Sequence, residues 1–363
     1  VNPFDAELWV TPSLNAAVIA AIPGVELPGH IRGKRGGDLL FVSRLEAVVR
    51  ENAGALGLDP DSAEILLDFN TSFDNPETRD NAIAIAREHG SRLGYLLLML
   101  VRGDAINRAA RPAYSPWRDE HWAHWQAMQQ VWIGGGQVAG RLGVYSIAQA
   151  QTVLTTNGAT LAVHLAQFPQ NLALIGLARA TVPRSRYRLV VDFGQTHVKC
   201  ALACYENGQL ARLDLLPGFS AECRSLFDNI SPDTAQHHFD AIVARIANTL
   251  FTLQARYGHI ADIALSLACY LRNGHPREPA NSCYGSLQLV AEHLESALKA
   301  AIEGAVGSEI DFALLHDGTA AANAFQGGRH AAVITLGTAI GIGFVPPVVT
   351  VDAAPHFRLQ FAS

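Results

Sequence analysis

The chain has 363 residues, of which 49% are apolar and 17% charged, and carries a net charge of −6. At roughly 100–200 residues per domain this is one oversized domain or two ordinary ones, with ample material for a core and no case for general disorder. The acidic balance excludes a nucleic-acid binder held by bulk electrostatics, and the longest apolar block, residues 93–101, is far shorter than the ~20 residues of a membrane span.

No basic segment opens the chain, so nothing there reads as a signal peptide; Val1 stands first, which reads as a processed, trimmed or engineered end. Apolar residues recur at helical spacing over 61–67 and 78–101, the second run opened by Asn75-Pro76-Glu77-Thr78. Tryptophans 117, 122, 125 and 132 read as helix-packing aromatics. His121 and His124 lack the third ligand that a metal site would need. The pattern then becomes α/β. Residues 130–133 predict a short strand ending in Gly134-Gly135-Gly136, and 147–154, 161–167 and 172–182 predict helices or helix–strand pieces. Residues 187–193, 198–205 and 210–216 predict three strands, the last two joined by the hairpin turn Asn207-Gly208. Beyond them, 239–257 and 287–306 predict helices, and 263–267, 312–315 and 331–336 predict strands. Strands alternating with helices after a three-stranded meander indicate a mixed-sheet α/β fold. Between His121 and Val191 there is no Asp or Glu but several arginines, which suits either a surface facing an anion or a buried segment of low charge. The five cysteines (200, 204, 223, 269, 283) form no CxxC pair, so neither a four-Cys zinc ribbon nor a disulfide scaffold is expected, and a reducing, cytoplasmic compartment is.

Four segments carry chemistry. In Asp192-Phe193-Gly194-Gln195-Thr196-His197-Val198-Lys199 an acid closes a strand and a glycine opens a tight turn. Backbone amides of Gly194 and Gln195, the Thr196 hydroxyl and the Lys199 charge suit phosphate oxygens, and Asp192 could hold Mg²⁺ through water. In His316-Asp317-Gly318-Thr319-Ala320 a strand ends in an acid at the mouth of a small-residue helix. Asp317 there could accept a hydroxyl proton, or serve only as a helix cap. Leu336-Gly337-Thr338-Ala339-Ile340-Gly341 repeats the hairpin logic, with Gly337 and Thr338 as phosphate donors or as a glycine-rich core turn. Gly134-Gly135-Gly136 comes after a strand, but no acid stands about 20 residues on as a dinucleotide site requires, so a glycine wall against a flat nucleoside is preferred.

In this order the motifs resemble the ROK family of sugar kinases and repressors, within the actin/hexokinase/Hsp70-like ATPase superfamily. The family's DxGGT, NDANAAA and LGTGIGGG correspond to DFGQT, HDGTAAANA and LGTAIGIG here. The family's later motifs stand at the front of this chain. Glu26-Leu27-Pro28-Gly29-His30 resembles the family's ExGH, Gly33–Asp38 falls where its zinc-and-sugar loop lies, Ile133–Gly136 matches IGGG, and NLALIGLARA (171–180) resembles its closing helix. The motif order is thus that of a circularly permuted protein, or of a fragment bridging two tandem copies. The resemblance implies a two-lobed, actin-like (ribonuclease H-like) α/β fold. It places residues 1–183 and 316–363 in a larger lobe and 184–315 in a smaller one. It implies ATP-dependent phosphorylation of a hexose or N-acetylhexosamine, with Asp317 as general base, Asp192 positioning Mg²⁺, and Gly194, Gln195, Thr196, Lys199, Gly337 and Thr338 at the phosphates. Gly134, Gly135 and Gly136 would face the nucleoside, and Glu26, His30, Asp38 and His316 the sugar. The family's zinc cysteines are missing, so no structural zinc is expected. Partners would be the sugar and ATP, in a homodimer as is common in the family, with neither nucleic acid nor membrane. A non-catalytic sugar- or nucleotide-binding regulator on the same fold stands as the alternative, because Gln195, His316, Ala339 and Ile342 depart from the family's motifs.

Overall fold

The computed structural model describes residues 3–5, 12–110, 117–221, 230–278, 282–325, 328, 330–347 and 357–361. The chain begins helically: α1 (Gly36–Leu40), α2 (Val42–Glu51), α3 (Ala53–Leu56), α4 (Ile65–Thr71), the long α5 (Arg79–Arg102), α6 (Ala105–Ala109) and α7 (Asp119–Gln126). Strand β1 (Gln130–Gly134), helix α8 (Arg141–Thr156), strand β2 (Ala162–Leu165) and helix α9 (Leu172–Arg179) come after them. Next are β3 (Tyr187–Phe193), β4 (His197–Glu206), β5 (Gln209–Ser220), α10 (Pro232–Tyr257) and β6 (Asp262–Leu267). A short ladder of β7 (Leu271–Arg272) and β8 (His275–Pro276) precedes α11 (Leu294–Val306), β9 (Asp311–His316) and α12 (Asp317–Ala322). The last strands are β10 (Ala331–Leu336), β11 (Ile340–Phe344) and β12 (Arg358–Phe361). The chain divides into two compact units, residues 1–6, 12–171 and 328–344, and residues 7–11, 172–327 and 345–363.

The second unit is built on a six-stranded sheet in the order β12-β5-β4-β3-β6-β9. Its centre, β3, reads Tyr-Arg-Leu-Val-Val-Asp-Phe and is buried along nearly its whole length, as a strand covered on both faces must be. It pairs antiparallel with β4 and parallel with β6, which pairs parallel with β9. A meander of three strands followed by two parallel crossovers is the ribonuclease H-like arrangement. Asn207 and Gly208 take φ of 52° and 76°, the left-handed pair that a tight β4–β5 hairpin demands. Ser231 caps α10 by accepting the Thr234 N–H at 3.1 Å, and Pro232 occupies the first turn, where its missing N–H costs nothing.

The first unit repeats the arrangement with fewer strands. Its sheet runs β11-β10-β1-β2: β10 pairs antiparallel with β11 and parallel with β1, which pairs parallel with β2. The hairpin comes from the C-terminal part of the sequence and the parallel strands from the first half. Helices α5 and α8 pack closely because glycines face them. A Cβ on Gly90 would stand 2.2 Å from the Ser146 carbonyl oxygen, and one on Gly94 would meet Val153 at 2.7 Å. Trp117, Trp122 and Trp125 are buried in this unit's core, as helix-packing aromatics should be.

Some boundaries differ from the sequence reading for local reasons. The 61–67 run becomes helical only at Ile65, because Asp59 and Ser62 side chains accept the N–H groups of Asp61 and Glu64 and hold a turn there. Residues 287–306 split into a 3₁₀ turn at Gly285–Leu289 and α11, with His293 capping the Ser296 N–H at 3.3 Å. The 161–167 piece is the strand β2. Cys200, Cys204 and Cys269 are free and buried, and Cys283 is disulfide-bonded, so one cysteine that the sequence reading placed in a reducing setting is paired. No helix among the described residues is long and apolar enough to cross a membrane.

Two buried groups make stability predictions. Arg188 and Asp262, both nearly inaccessible, pair at 2.6 Å. Arg188→Met strands the Asp262 carboxylate in the core and should cost about 3–5 kcal/mol in chemical denaturation, more than Arg188→Met/Asp262→Leu together. In the first unit, neither ring nitrogen of buried His89 has a hydrogen-bond partner among the described residues. Burial, helped by the Arg92 charge, lowers its pKa from 6.5 to about 4. The unfolded chain therefore binds the proton first, and stability falls as pH drops from 6.5 towards 4. The loss is about 3 kcal/mol at the acid end, and a His89→Leu variant should show a flatter melting profile over that range.

Candidate functional site

The carboxyl ends of β3, β6 and β9 are in register, with Asp192 opposite Ser266 and then Phe193, Leu267 and His316 aligned across the sheet. Ligands of open α/β sheets bind at such ends. Asp192, the penultimate residue of β3, is buried, and the Ser266 hydroxyl donates to its Oδ1 at 2.8 Å. Lys199 stands across from it on β4. Burial pushes the Asp192 carboxyl up from its ordinary value, and the charge of Asp317 adds to this; Lys199 and Ser266 pull the other way.

The strand β9 delivers His316 and Asp317. His316 caps α12: its Nδ1 accepts the Thr319 N–H at 3.4 Å. A ring nitrogen that accepts carries no proton, so the hydrogen-bond pattern assigns the proton of neutral His316 to Nε2, which lies 3.0 Å from Asp317 Oδ1. The Gly318 N–H donates to the same oxygen at 2.6 Å. Oδ2 has no hydrogen bond among the described residues, which leaves it able to take a proton from a bound group. Tyr270 stacks on the His316 ring with 4.4 Å between centroids. Glu278 lies beside this pair, accepting the Tyr270 N–H at 3.2 Å and the Ser282 hydroxyl at 3.0 Å, and burial raises its pKa. Sequence reasoning missed Ser266, Tyr270 and Glu278. Only Ser266 carried a signal, a lone hydroxyl in the apolar run that comes after Asp262 in β6.

The turn after β3 is braced rather than free. Gly194 donates to the His197 carbonyl at 3.1 Å, and the hydroxyl of buried Tyr284 donates to the Gly194 carbonyl at 2.8 Å. With both groups of Gly194 engaged, the N–H groups of Gln195 and Thr196 have no backbone partner among the described residues. The β10–β11 hairpin in the first unit uses the same device. Gly337 donates to the Ala339 carbonyl at 3.2 Å, while the Gly337 carbonyl accepts from Gln137 Nε2 at 2.6 Å and from the Val42 N–H at 3.2 Å. Thr338 beside it is exposed. Gln137 comes directly after the glycine run, and Gly135 sits where a Cβ would stand 2.1 Å from the Leu336 carbonyl. Gly134 pairs with Thr335 and Gly135 lies against Leu336, the residue before the Gly337–Thr338 turn, and the close approach alone requires a glycine at 135, whose φ is +97°. Gly136 is open, with nothing within 4 Å of the place a Cβ would take.

Three further sequence-predicted residues belong to the first unit, and two of them have partners of their own. Asp38 accepts the Arg35 N–H at 3.1 Å and so caps its own helix. His30 pairs with Glu88 at 2.6 Å, and Glu88 also holds Arg92 at 3.1 Å. Glu26 is exposed. The free thiols are poor nucleophiles: burial pushes Cys200 up to about 12, Cys269 well above its usual value, and Cys204 upward. Among the described residues no group of three or more His, Cys, Asp or Glu is placed to hold a metal ion on its own.

The two sheets define a mixed α/β protein whose six-stranded sheet has the ribonuclease H-like strand order. No known family model matches the sequence, and no curated protein matches it. Solved structures similar to this chain include the Aquifex aeolicus Ppx/GppA phosphatase, at 7% identity over 36% of either chain with a TM-score of 0.20. The PilM–PilN type IV pilus biogenesis complex is similar at 12% identity over 50% of this chain and 49% of that one, TM-score 0.28. An exopolyphosphatase-like protein is similar at 12% identity over 64% of this chain and 86% of that one, TM-score 0.27. The first two matches thus span a third to a half of those structures' own length.

The strained ionisation of Asp192 is measurable. A carboxyl raised by burial weakens folding as pH climbs from its unfolded value through its folded one. Asp192→Asn should therefore melt at a higher temperature than the parent at pH 7–8, the gap closing in acid, as differential scanning calorimetry would show.

Proposed function

We propose that the protein transfers the γ-phosphoryl group of ATP to a sugar hydroxyl, in the manner of the ROK kinases that its motifs resemble. The observation that carries this reading is the pair of acids at strand ends of one sheet, one buried and one with an unengaged oxygen, together with a glycine turn whose next two amides have no backbone partner among the described residues. Phosphoryl transfer asks for such parts: positioned amides, charge neutralisation and a base, with no covalent intermediate.

Asp317 Oδ2 accepts the hydroxyl proton as the acceptor oxygen forms its bond to the γ-phosphorus. The bond from phosphorus to the β,γ-bridging oxygen breaks, and its electron pair leaves with ADP. The amides of Gln195 and Thr196, the Thr196 hydroxyl and Lys199 bind phosphate oxygens. Asp192 fits Mg²⁺: it offers a hard oxygen donor, and its burial cost is the kind that a cation offsets. Mg²⁺ is commonly held by one or two carboxylates together with phosphates and water, and when bound it neutralises phosphate charge. Gly136, open beside the second hairpin, is the part of the glycine run best suited to a nucleoside face.

A non-catalytic binding role has one observation in its favour. Two residues assigned to the sugar are occupied elsewhere, Asp38 in capping α1 and His30 with Glu88. A coupled ADP-release screen over hexoses and N-acetylhexosamines separates the readings. Turnover on at least one sugar is expected, with Asp317→Asn lowering kcat by about 10²-fold or more while calorimetry still shows Mg-ATP binding. Full activity in that variant, or binding with turnover on no sugar, overturns the kinase reading.

A further inference from the structure

Resting on Asp317 as the base, we infer that His316 is its positioning residue: the Nε2–H holds Oδ1 and thereby dedicates Oδ2 to the acceptor proton. His316 does two jobs with two different atoms. Nδ1 caps the helix through the Thr319 N–H, and Nε2 contacts Asp317 at 3.0 Å. The ring cannot swing freely between these partners, because Tyr270 lies flat against it and the residue itself is buried. The Gly318 N–H supplies the second donor to Oδ1. A carboxylate oxygen with two donors is the less basic of the pair, so proton transfer is directed to the other oxygen. The fixed torsion of the carboxylate is the part that neither Gly318 nor a solvent molecule would enforce alone.

The charged and titratable groups around the His316–Asp317 pair come from several elements, with Lys199 of β4 beside Asp192. Asp317 is on the helix that His316 caps, Tyr270 and Cys269 come after β6, Glu278 comes after β8, and Asp192 ends β3. Asp192 and Glu278 are the acids of this set that act on Asp317, and the donor at Nε2 offsets that crowding.

The two functions of the ring can be separated by substitution. The amide of Asn stands near the position of Nδ1, and that of Gln reaches the position of Nε2. His316→Asn keeps the cap and loses the donor to Asp317; His316→Gln keeps the donor and loses the cap. We expect His316→Asn to melt like the parent yet lose kcat about tenfold with KM little changed, since one hydrogen bond to a charged group is removed. The acid limb of its kcat–pH profile should move upward. His316→Gln should melt lower yet lose less kcat than His316→Asn, with the acid limb in place. A purely structural role gives the reverse order, with activity following stability, and that result overturns the inference.

A second measurement does not depend on turnover. The Asp317 carboxyl, assigned by its absence from the carbon-13 spectrum of the Asp317→Asn protein, is titrated in the full chain. Its midpoint should rise in His316→Asn and not in His316→Gln; equal midpoints in the two variants overturn the inference. If Asp317→Asn retains full activity while the midpoints separate as expected, the kinase reading fails and the His316–Asp317 linkage stands as a property of the pair.

Discussion

The second unit is organised around one buried ion pair. Arg188 on β3 reaches Asp262 on β6 with two nitrogens, at 2.6 and 3.1 Å, and directs its remaining donors to the Leu177 and Thr181 carbonyls and the Thr181 hydroxyl. Asp262 Oδ2 also takes the Arg184 N–H. One side chain thus ties the end of α9, the link into the sheet and the first parallel strand pair together. Burying both charges is expensive, and five hydrogen bonds from one guanidinium are what offset it. Because Arg188 and Asp262 pair in register near the start of β3 and β6, they also set the register at the far ends of those strands, where Asp192 meets Ser266.

Glycine does the corresponding work where helices meet. A Cβ on Gly176 of α9 would stand 1.5 Å from the Ala320 carbonyl of α12, so those two backbones touch. That contact fixes the helix whose first residue is Asp317. The position of Asp317 therefore depends on a residue with no side chain, in a helix whose buried face is otherwise apolar. Similarly, each glycine hairpin is held by a donor from elsewhere, Tyr284 in one unit and Gln137 in the other.

Much of this was legible in the sequence, and the reasons differ by element. Strand β3 was readable because a buried parallel strand leaves a nearly unbroken apolar run, and the β4–β5 turn because Asn-Gly has few alternatives. The order of hairpin, acid and hairpin was readable because each combines a strand end with a residue type that phosphate chemistry needs. Tyr284, Gln137 and Tyr270 were not. A tyrosine that holds a carbonyl reads along the chain like any core aromatic, and only the folded backbone shows which oxygen it meets. Asp38 shows the converse. An acid in the first turn of a helix is equally a ligand for a substrate and a cap, and here it meets its own backbone.

The first unit's sheet also sets the timetable of folding. Strand β1 lies between β2 and β10, and Gln130 pairs with Ala331 from the other end of the sequence. During synthesis on a ribosome, β1 and β2 emerge early, while the strand that completes β1's hydrogen bonding emerges only after most of the second unit. Until then β1 presents an unpaired, apolar edge, the kind of surface on which nascent chains associate wrongly. Closing so long a loop is also slow for reasons of chain entropy alone. The second unit, whose main sheet strands β3, β4, β5, β6 and β9 succeed one another along the chain, has no such wait, and it supplies the finished neighbour in sequence from which β10 departs.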